Sequence, residues 1–280
     1  MLEGRPSRTA ERVAAERAAH QILDSPRVLE DPLAIQLLSP DQREELLQHP
    51  ERHDRSPLSR PTRAIVVVRT RVAEDELANS GVGQYVLLGA GLDTFAYRNP
   101  QSNVRVYEVD QSDTQALKRR RLQAAGVAPP PNLTFVPCDF SRDALADALA
   151  AGGFDRTRPA VFAWLGVVMY LDAADVTGTL RYLATLPAPT SVIFDYAQPP
   201  DAFPWLQRVF YRKVLDRLAQ IGEPWKSFMQ PEPLGEQLLA LGFSSVEDLG
   251  GDEINERYLG NRSDGLKARG IGRIAIARKQ

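Results

Sequence analysis

Two glycines, Gly89 and Gly91, flank Ala90 directly after the apolar run Tyr85-Val-Leu-Leu, and Asp93-Thr94 follows them. At a strand-to-helix turn, residues with little or no side chain let a ligand come close to the backbone. In an open α/β sheet that turn lies at the carboxyl end of the first strand, where ligands bind. A Gly-x-Gly pair alone also suits a plain tight connection. The next apolar run ends in Glu108-Val-Asp110, about twenty residues beyond the first glycine, a spacing at which a carboxylate can accept both hydroxyls of an adenosine ribose. Glu108 is read as such a ligand; Asp110 suits equally a ligand or the cap of the helix that follows. A third run closes on Cys138-Asp139-Phe140, which offers a carboxylate for the exocyclic amine of adenine and a ring for its face. Asp139 could instead cap its own helix.

These residues fit either a nicotinamide dinucleotide or S-adenosylmethionine. The third glycine of a dinucleotide turn is replaced by Thr94, which removes the close helix-to-strand packing that glycine permits. Asp93 sets a negative charge where a pyrophosphate would be repelled and a sulfonium compound with an ammonium group attracted. The balance favours S-adenosylmethionine. A fourth run ends in Trp164-Leu165-Gly166-Val167-Val168-Met169-Tyr170, whose bulky members would roof the pocket, although core packing explains most of them as well.

The elements that must position these residues change character along the chain. The first eighty residues read as helices over Thr9–Leu23, Asp31–Leu38, Pro40–Gln48 and Pro61 to about Leu77, without a strand. From Gln84 onward, short apolar runs alternate with helical stretches at Gln111–Ala125, Arg142–Ala151 and Ala173–Leu186. This is the pattern of a doubly wound α/β fold with five parallel strands and right-handed crossovers. An aromatic-bearing stretch from Pro199 to Met229 reads as a helical insertion and a candidate lid, with Phe203, Trp205, Phe210, Tyr211, Trp225 and Phe228 either forming an apolar acceptor pocket or packing the insertion onto the sheet. Two last runs, Ser244–Leu249 and Ile271–Ala277, separated by a polar Gly/Asn/Asp-rich connection, read as a terminal antiparallel hairpin pair.

Bulk properties narrow the function classes. Lys and Arg total 34 against 36 Asp and Glu, a formal charge of −2, so no global field exists to hold nucleic acid or an anionic membrane. The run Lys118-Arg-Arg-Arg121 reads as a solvated helix face. The single cysteine, Cys138, rules out an intrachain disulfide framework and fits a reducing compartment. Histidines occur only at 20, 49 and 53, without metal-ligand spacing, so no metal is expected. The charged start Met1-Leu-Glu-Gly-Arg and the lack of a long apolar run lead to the expectation of a cytoplasmic protein.

Taken in order, Arg69-Thr-Arg71, Leu-Gly-Ala-Gly-Leu-Asp-Thr, Tyr-Glu-Val-Asp, Cys-Asp-Phe and Trp-Leu-Gly-Val-Val-Met-Tyr-Leu resemble the leucine carboxyl methyltransferase family, especially its bacterial S-adenosylmethionine-dependent branch, over roughly residues 9–197. The resemblance implies a class I methyltransferase, Rossmann-like fold. It has a seven-stranded, mostly parallel sheet with helices on both faces, a helical N-terminal cap over residues 1–80, and a core over 81–280 carrying the insertion at about 199–230. It implies that Arg69 binds the methionine carboxylate of the cofactor, that Gly89, Ala90, Gly91 and Asp93 lie under its methionine part, and that Glu108 and Asp110 lie near the ribose. Cys138, Asp139 and Phe140 would then lie at the adenine, with Leu165 close by. Arg71 is expected to pair with Asp75 instead. Many relatives carry Glu-Gly where this chain has Leu165-Gly166, so one carboxylate is missing. The activity implied is methyl transfer to a small molecule, a carboxylate or a hydroxyl. Tyr170, Asp195 and Tyr196 stand near the strand ends, and none is assigned a catalytic role. A cofactor-binding protein without turnover and a nicotinamide oxidoreductase are the alternatives. The acceptor and the oligomeric state are not legible.

Overall fold

The computed structural model describes residues 8–101 and 103–280. The charged start Met1–Ser7 lies outside the described residues. Three helices come first, α1 (Arg8–Leu23), α2 (Pro40–Gln48) and α3 (Ser59–Ser80). Then β1 (Gln84–Leu88), α4 (Phe95–Arg98), β2 (Arg105–Asp110), α5 (Ser112–Ala124), β3 (Leu133–Pro137), α6 (Leu145–Ala151), β4 (Val161–Trp164), α7 (Ala173–Ala184) and β5 (Thr190–Ala197) build the alternating core. The chain finishes with α8 (Trp205–Gln220), α9 (Pro231–Leu241), β6 (Ser245–Leu249), α10 (Gly251–Tyr258) and β7 (Gly272–Lys279).

All seven strands form one sheet in the order β3-β2-β1-β4-β5-β7-β6, with β7 antiparallel to both of its neighbours. β1 lies between β2 and β4, Leu87 standing in register with Glu108 on one side and Ala163 on the other. The strand order reverses there. The carboxyl ends of β1 and β4 therefore splay loops to opposite sides and open a crevice between them, which is where ligands bind in such sheets. Buried on both faces, β1 reads as an unbroken apolar run rather than an alternating one. On one face Val67, Val68, Val72 and Leu77 of α3 pack with Tyr85, Leu87, Val161 and Ile193. On the other, Leu149, Leu180, Leu183, Leu234 and Leu238 cover Val86, Leu88, Phe162 and Phe194.

Local signals set the helix starts. Ser39 caps α2: its Oγ accepts from Gln42 N at 3.3 Å, the Gln42 side chain accepts from Ser39 N at 3.2 Å, and Pro40 fills the first helical position. Arg71 Nε donates to Asp75 at 2.7 Å, as expected. Three expectations are corrected. Asp31–Leu38 forms a chain of turns, because the Asp31 carboxylate is drawn away to Arg17 and Thr94 and only Leu37 N reaches back four residues, to Leu33 O. The last two strands do pair antiparallel, but α10 lies between them in sequence and β7 inserts beside β5. The run 118–121 is a solvated face only in part: Arg119 and Arg120 are exposed, but Lys118 is buried against Glu108 and Arg121 donates to Leu37 O at 2.8 Å.

A buried ion-pair cluster ties α1 to α3. Arg63, fully buried, donates to Asp24 at 2.8 Å and to Asp54 at 2.8 Å, and its third carboxylate, Glu16, stands off at 3.8 Å. Burial raises the Glu16 carboxyl to about 7, against the pull of Arg63. The folded state thus holds this proton above the pH at which the unfolded chain releases it, and stability falls as pH rises from about 4.5 to 7. Glu16→Gln is expected to stabilise by roughly 1–3 kcal/mol at pH 8 and by little at pH 4, read from urea unfolding midpoints at the two values.

Candidate active site at the switch point

A cavity of about 800 Å³ opens at the carboxyl ends of β1 and β4. The glycine turn forms its floor. Gly89 N and Ala90 N both donate to Val109 O, at 2.8 and 3.0 Å, so the turn is stitched to β2. Gly89 has φ +71, and a Cβ there would stand 2.3 Å from Val167 Cγ2 of the loop after β4. Only glycine lets these two loops approach, and their approach shapes the crevice. Gly91 N donates to Asp110 Oδ2 at 2.6 Å, while Asp110 Oδ1 accepts from Gln111 N at 2.7 Å. Asp110 therefore anchors the turn, and the cap reading is corrected, because Gln111 precedes α5 and no side chain caps the helix. The Asp110 carboxylate also lines the cavity, where it can accept from a ligand hydroxyl.

Glu108 is a correction. It is 1% exposed, is not among the cavity-lining residues, and accepts from Lys118 Nζ at 2.5 Å. Burial raises its carboxyl to about 7 while Lys118 opposes the rise. Sitting two residues short of the end of β2, its side chain meets the first turns of α5 instead of reaching beyond the sheet edge. The pairing of Glu108 with Lys118 depends on how α5 folds back, and spacing alone gave no sign of it.

Arg69 projects from α3 into the cavity wall, 6% exposed. Its Nη1 donates to Asp195 Oδ2 at 2.6 Å, and Asp195 Oδ1 accepts from Gly166 N at 2.6 Å. Gly166, at φ +74, would carry a Cβ 2.7 Å from Arg69 Nη2. One carboxylate at the end of β5 thus fixes both the arginine and the β4 loop, in a residue that lines the cavity. Arg69 Nε is buried without a partner, a free donor in a wall that a carboxylate could satisfy.

Asp93 lines the cavity but its charge is committed: it pairs with Arg17 of α1 and accepts from Phe95 N at 2.7 Å. Burial pushes this carboxyl up, yet Arg17, then Arg98 and Lys118, outweigh the effect and hold it at about 2. The charge argument against a dinucleotide therefore weakens. A different observation takes its place: α4, the helix directly after the glycine turn, has only four residues, so the turn does not lead into a long helix N-terminus of the kind that receives a pyrophosphate. Thr94 Oγ1 is spent on Asp31 at 2.6 Å and on Arg17 and Arg98 at 3.0 Å.

Cys138, Asp139, Phe140 and Leu165 all line the cavity. Burial pushes the Cys138 thiol up to about 11, so it stands there as a small apolar wall rather than a thiolate. Asp139 accepts from Ser141 N at 3.0 Å and Ser141 Oγ at 2.7 Å, bonds of a tight turn and not of a helix cap, since Ala144 precedes α6; against slight burial, these bonds lower its carboxyl. Its other oxygen stands 4.0 Å from Arg142 Nε, and the carboxylate lines the cavity. Phe140 leans on the buried Trp164, ring centroids 6.4 Å apart.

Two groups of lining residues escaped sequence reasoning. Thr9, Ala10, Val13, Ala14 and Arg17 bring α1 over the floor, Ala14 being buried and Arg17 bridging Asp31 and Asp93. Ile221–Pro224 and Lys226, just after α8, close another side, and Glu223 reaches Arg12 of α1 at 3.5 Å. No short motif marks either group, because both arrive from distant parts of the chain. None of the six aromatic residues of the insertion lines the cavity. Phe203 and Tyr211 pack edge to face at 5.1 Å, and Trp225 lies on Phe228 at 6.4 Å. Of the three groups near the strand ends, Tyr170 faces the cavity, Asp195 is held as described, and the Tyr196 hydroxyl turns away to Asp248 at 2.6 Å.

A profile of leucine carboxyl methyltransferases matches residues 10–184. The chain belongs to the leucine carboxyl methyltransferase family. Within this family it is 36% identical over 193 residues to the Bacillus subtilis protein YktD, itself named only provisionally as an S-adenosyl-L-methionine-dependent methyltransferase. That match covers 67% of this chain and 62% of YktD. A Mycolicibacterium paratuberculosis protein with the same provisional name is 36% identical over 234 residues, 78% of this chain and 71% of its own length. The family fold extends to solved structures. A Thermobifida fusca protein provisionally titled a methyltransferase superposes with a TM-score of 0.59 at 18% identity, covering 99% of this chain and 96% of its own.

Proposed function

We propose that this leucine carboxyl methyltransferase family member binds S-adenosylmethionine in the switch-point cavity and transfers its methyl group to a small molecule, through a carboxylate or hydroxyl oxygen. The observation that carries the proposal is the convergence on one cavity of Arg69 with an unpartnered buried donor, the glycine turn that tolerates no side chain, and Asp110 at the end of β2. The donor set fits the cofactor. Arg69 would hold the methionine carboxylate, Asp110 the ribose hydroxyls, and Asp139 with Phe140 the adenine.

The cofactor, when bound, supplies a methyl group already activated by positive sulfur, so the protein's task is alignment and exclusion of water. The clamp of Asp195 on Arg69 and Gly166 N fixes one end of the cavity relative to the β4 loop. Ile221–Pro224, joined to α1 through Glu223 and Arg12, would cover the acceptor side, which gives the stretch 199–230 the part of a lid over the 81–280 core. An ionised carboxylate acceptor needs no general base, whereas a phenol or alcohol would give its proton to a neighbouring base.

Isothermal calorimetry with S-adenosylmethionine, its demethylated product and NAD tests the cofactor. Micromolar binding of the first two and none of NAD is expected; binding of NAD alone would overturn the proposal. Incubation of the loaded protein with small carboxylic acids and phenols then separates an enzyme from a binding protein without turnover.

A further inference from the structure

Among the described residues, nine large apolar side chains are exposed, and five of them lie between 205 and 221: Trp205, Leu206, Val209, Phe210 and Ile221, at 68, 65, 46, 45 and 40%. Such clustering on one element marks a surface that meets something apolar. The element is α8, with Ile221 as its C-terminal cap, and no residue of α8 is fully buried. Its inner side, Tyr211, Val214, Leu215 and Leu218, is half-buried. Leu206, Phe210, Lys213 and Arg217 follow one another at helical spacing along the outer side, with Trp205 and Val209 beside them. The outer face is therefore apolar in its first two turns and mainly cationic in its last two, where Lys213 and Arg217 accompany the single carboxylate of Asp216.

We propose that α8 docks on the surface of an anionic phospholipid bilayer. Charge decides between occupants. The helix carries Arg208, Arg212, Lys213 and Arg217 against Asp216 alone, in a chain of formal charge −2. Arg212 is held by Asp201 at 2.9 Å, whereas Lys213 and Arg217 are exposed and have no side-chain partner among the described residues. Tryptophan, phenylalanine and leucine beside unpaired Lys and Arg are the composition of a helix lying in a lipid interface, the rings at headgroup depth and the cations on phosphates. A second copy of the chain is the poorer match. A two-fold contact that runs the helices antiparallel sets each apolar half against the cations of the other copy and offers them no carboxylate partner, and a parallel contact sets like charges together. No helix among the described residues is long and apolar enough to cross a membrane, so the contact is peripheral. Because Ile221–Pro224 line the cavity, docking would place the cavity mouth near the lipid surface.

Co-sedimentation of the full chain with vesicles tests this directly and does not depend on the cofactor assignment. Binding is expected to vesicles containing about one third phosphatidylglycerol and to be much weaker to phosphatidylcholine alone. Lys213→Gln with Arg217→Gln should lower the partition coefficient about 30-fold, roughly fivefold per charge. Trp205→Ala with Phe210→Ala should weaken binding at constant charge, and because these side chains are exposed the variants keep the thermal midpoint of the parent. Three results would each overturn the proposal: no sedimentation with the mixed vesicles, equal binding to both compositions, or a dimer in analytical ultracentrifugation that Trp205→Asp dissolves.

Discussion

Arg69→Ala lowers the affinity for S-adenosylmethionine by roughly one to two orders of magnitude, the worth of a charge-assisted hydrogen bond at a buried site. It also destabilises the fold by about 3 kcal/mol, because Asp195 is 4% exposed and would keep only Gly166 N as a partner for its charge. The two effects come apart in the double variant Arg69→Ala, Asp195→Asn. Removing the stranded charge recovers much of the stability, while affinity stays low because no guanidinium faces the cavity. Arg69→Lys keeps a charge but not the fork, and its affinity falls between the parent and the alanine variant. Calorimetry and urea unfolding on the same samples read both quantities. Unchanged affinity in Arg69→Ala would remove the arginine from the cofactor site and leave it as a structural partner of Asp195.

The second large effect is expected at Asp110. Its two oxygens hold Gly91 N at 2.6 Å and Gln111 N at 2.7 Å, so Asp110→Ala loosens the glycine turn, which keeps only its two backbone bonds to Val109 O, and strips the residue ahead of α5 of its partner. A stability loss of about 2 kcal/mol follows from the two partly buried donors left unpaired. If the same carboxylate receives the ribose hydroxyls, affinity for the cofactor falls at least tenfold beyond that, since two acceptors vanish together with the geometry of the floor. Asp110→Asn retains one oxygen acceptor and gives an intermediate result. A variant that unfolds more easily yet binds with parental affinity would show Asp110 to be an anchor of the glycine turn alone.

The contrast between Asp110 and Glu108 shows how far local pattern carries. Both carboxylates sit at the end of the same strand, and spacing from the glycine turn suits either. The one that ends the strand reaches the cavity; the other, two residues earlier, is covered by α5 and paired with Lys118. Asp93 is a similar case. Its position under the turn was visible, but Arg17, which takes up its charge, stands 76 residues earlier in the chain.

What the sequence determined by itself was the alternating order of strands and helices, the switch-point turn and the acidic end of β2. Each is written in a short local pattern: an apolar run of strand length, two glycines directly after it, and a carboxylate closing the next run. Tertiary structure alone decided which charges are free and which are spent. Burial of Arg17, Arg63 and Arg69 requires carboxylates, and these come from Asp31, Asp24 and Asp195, partners 14, 39 and 126 residues away. It also decided that α8 would present its aromatic side outward, because the sheet had no face left to cover it: both were already filled, one by α3 and the other by leucines of α6, α7 and α9.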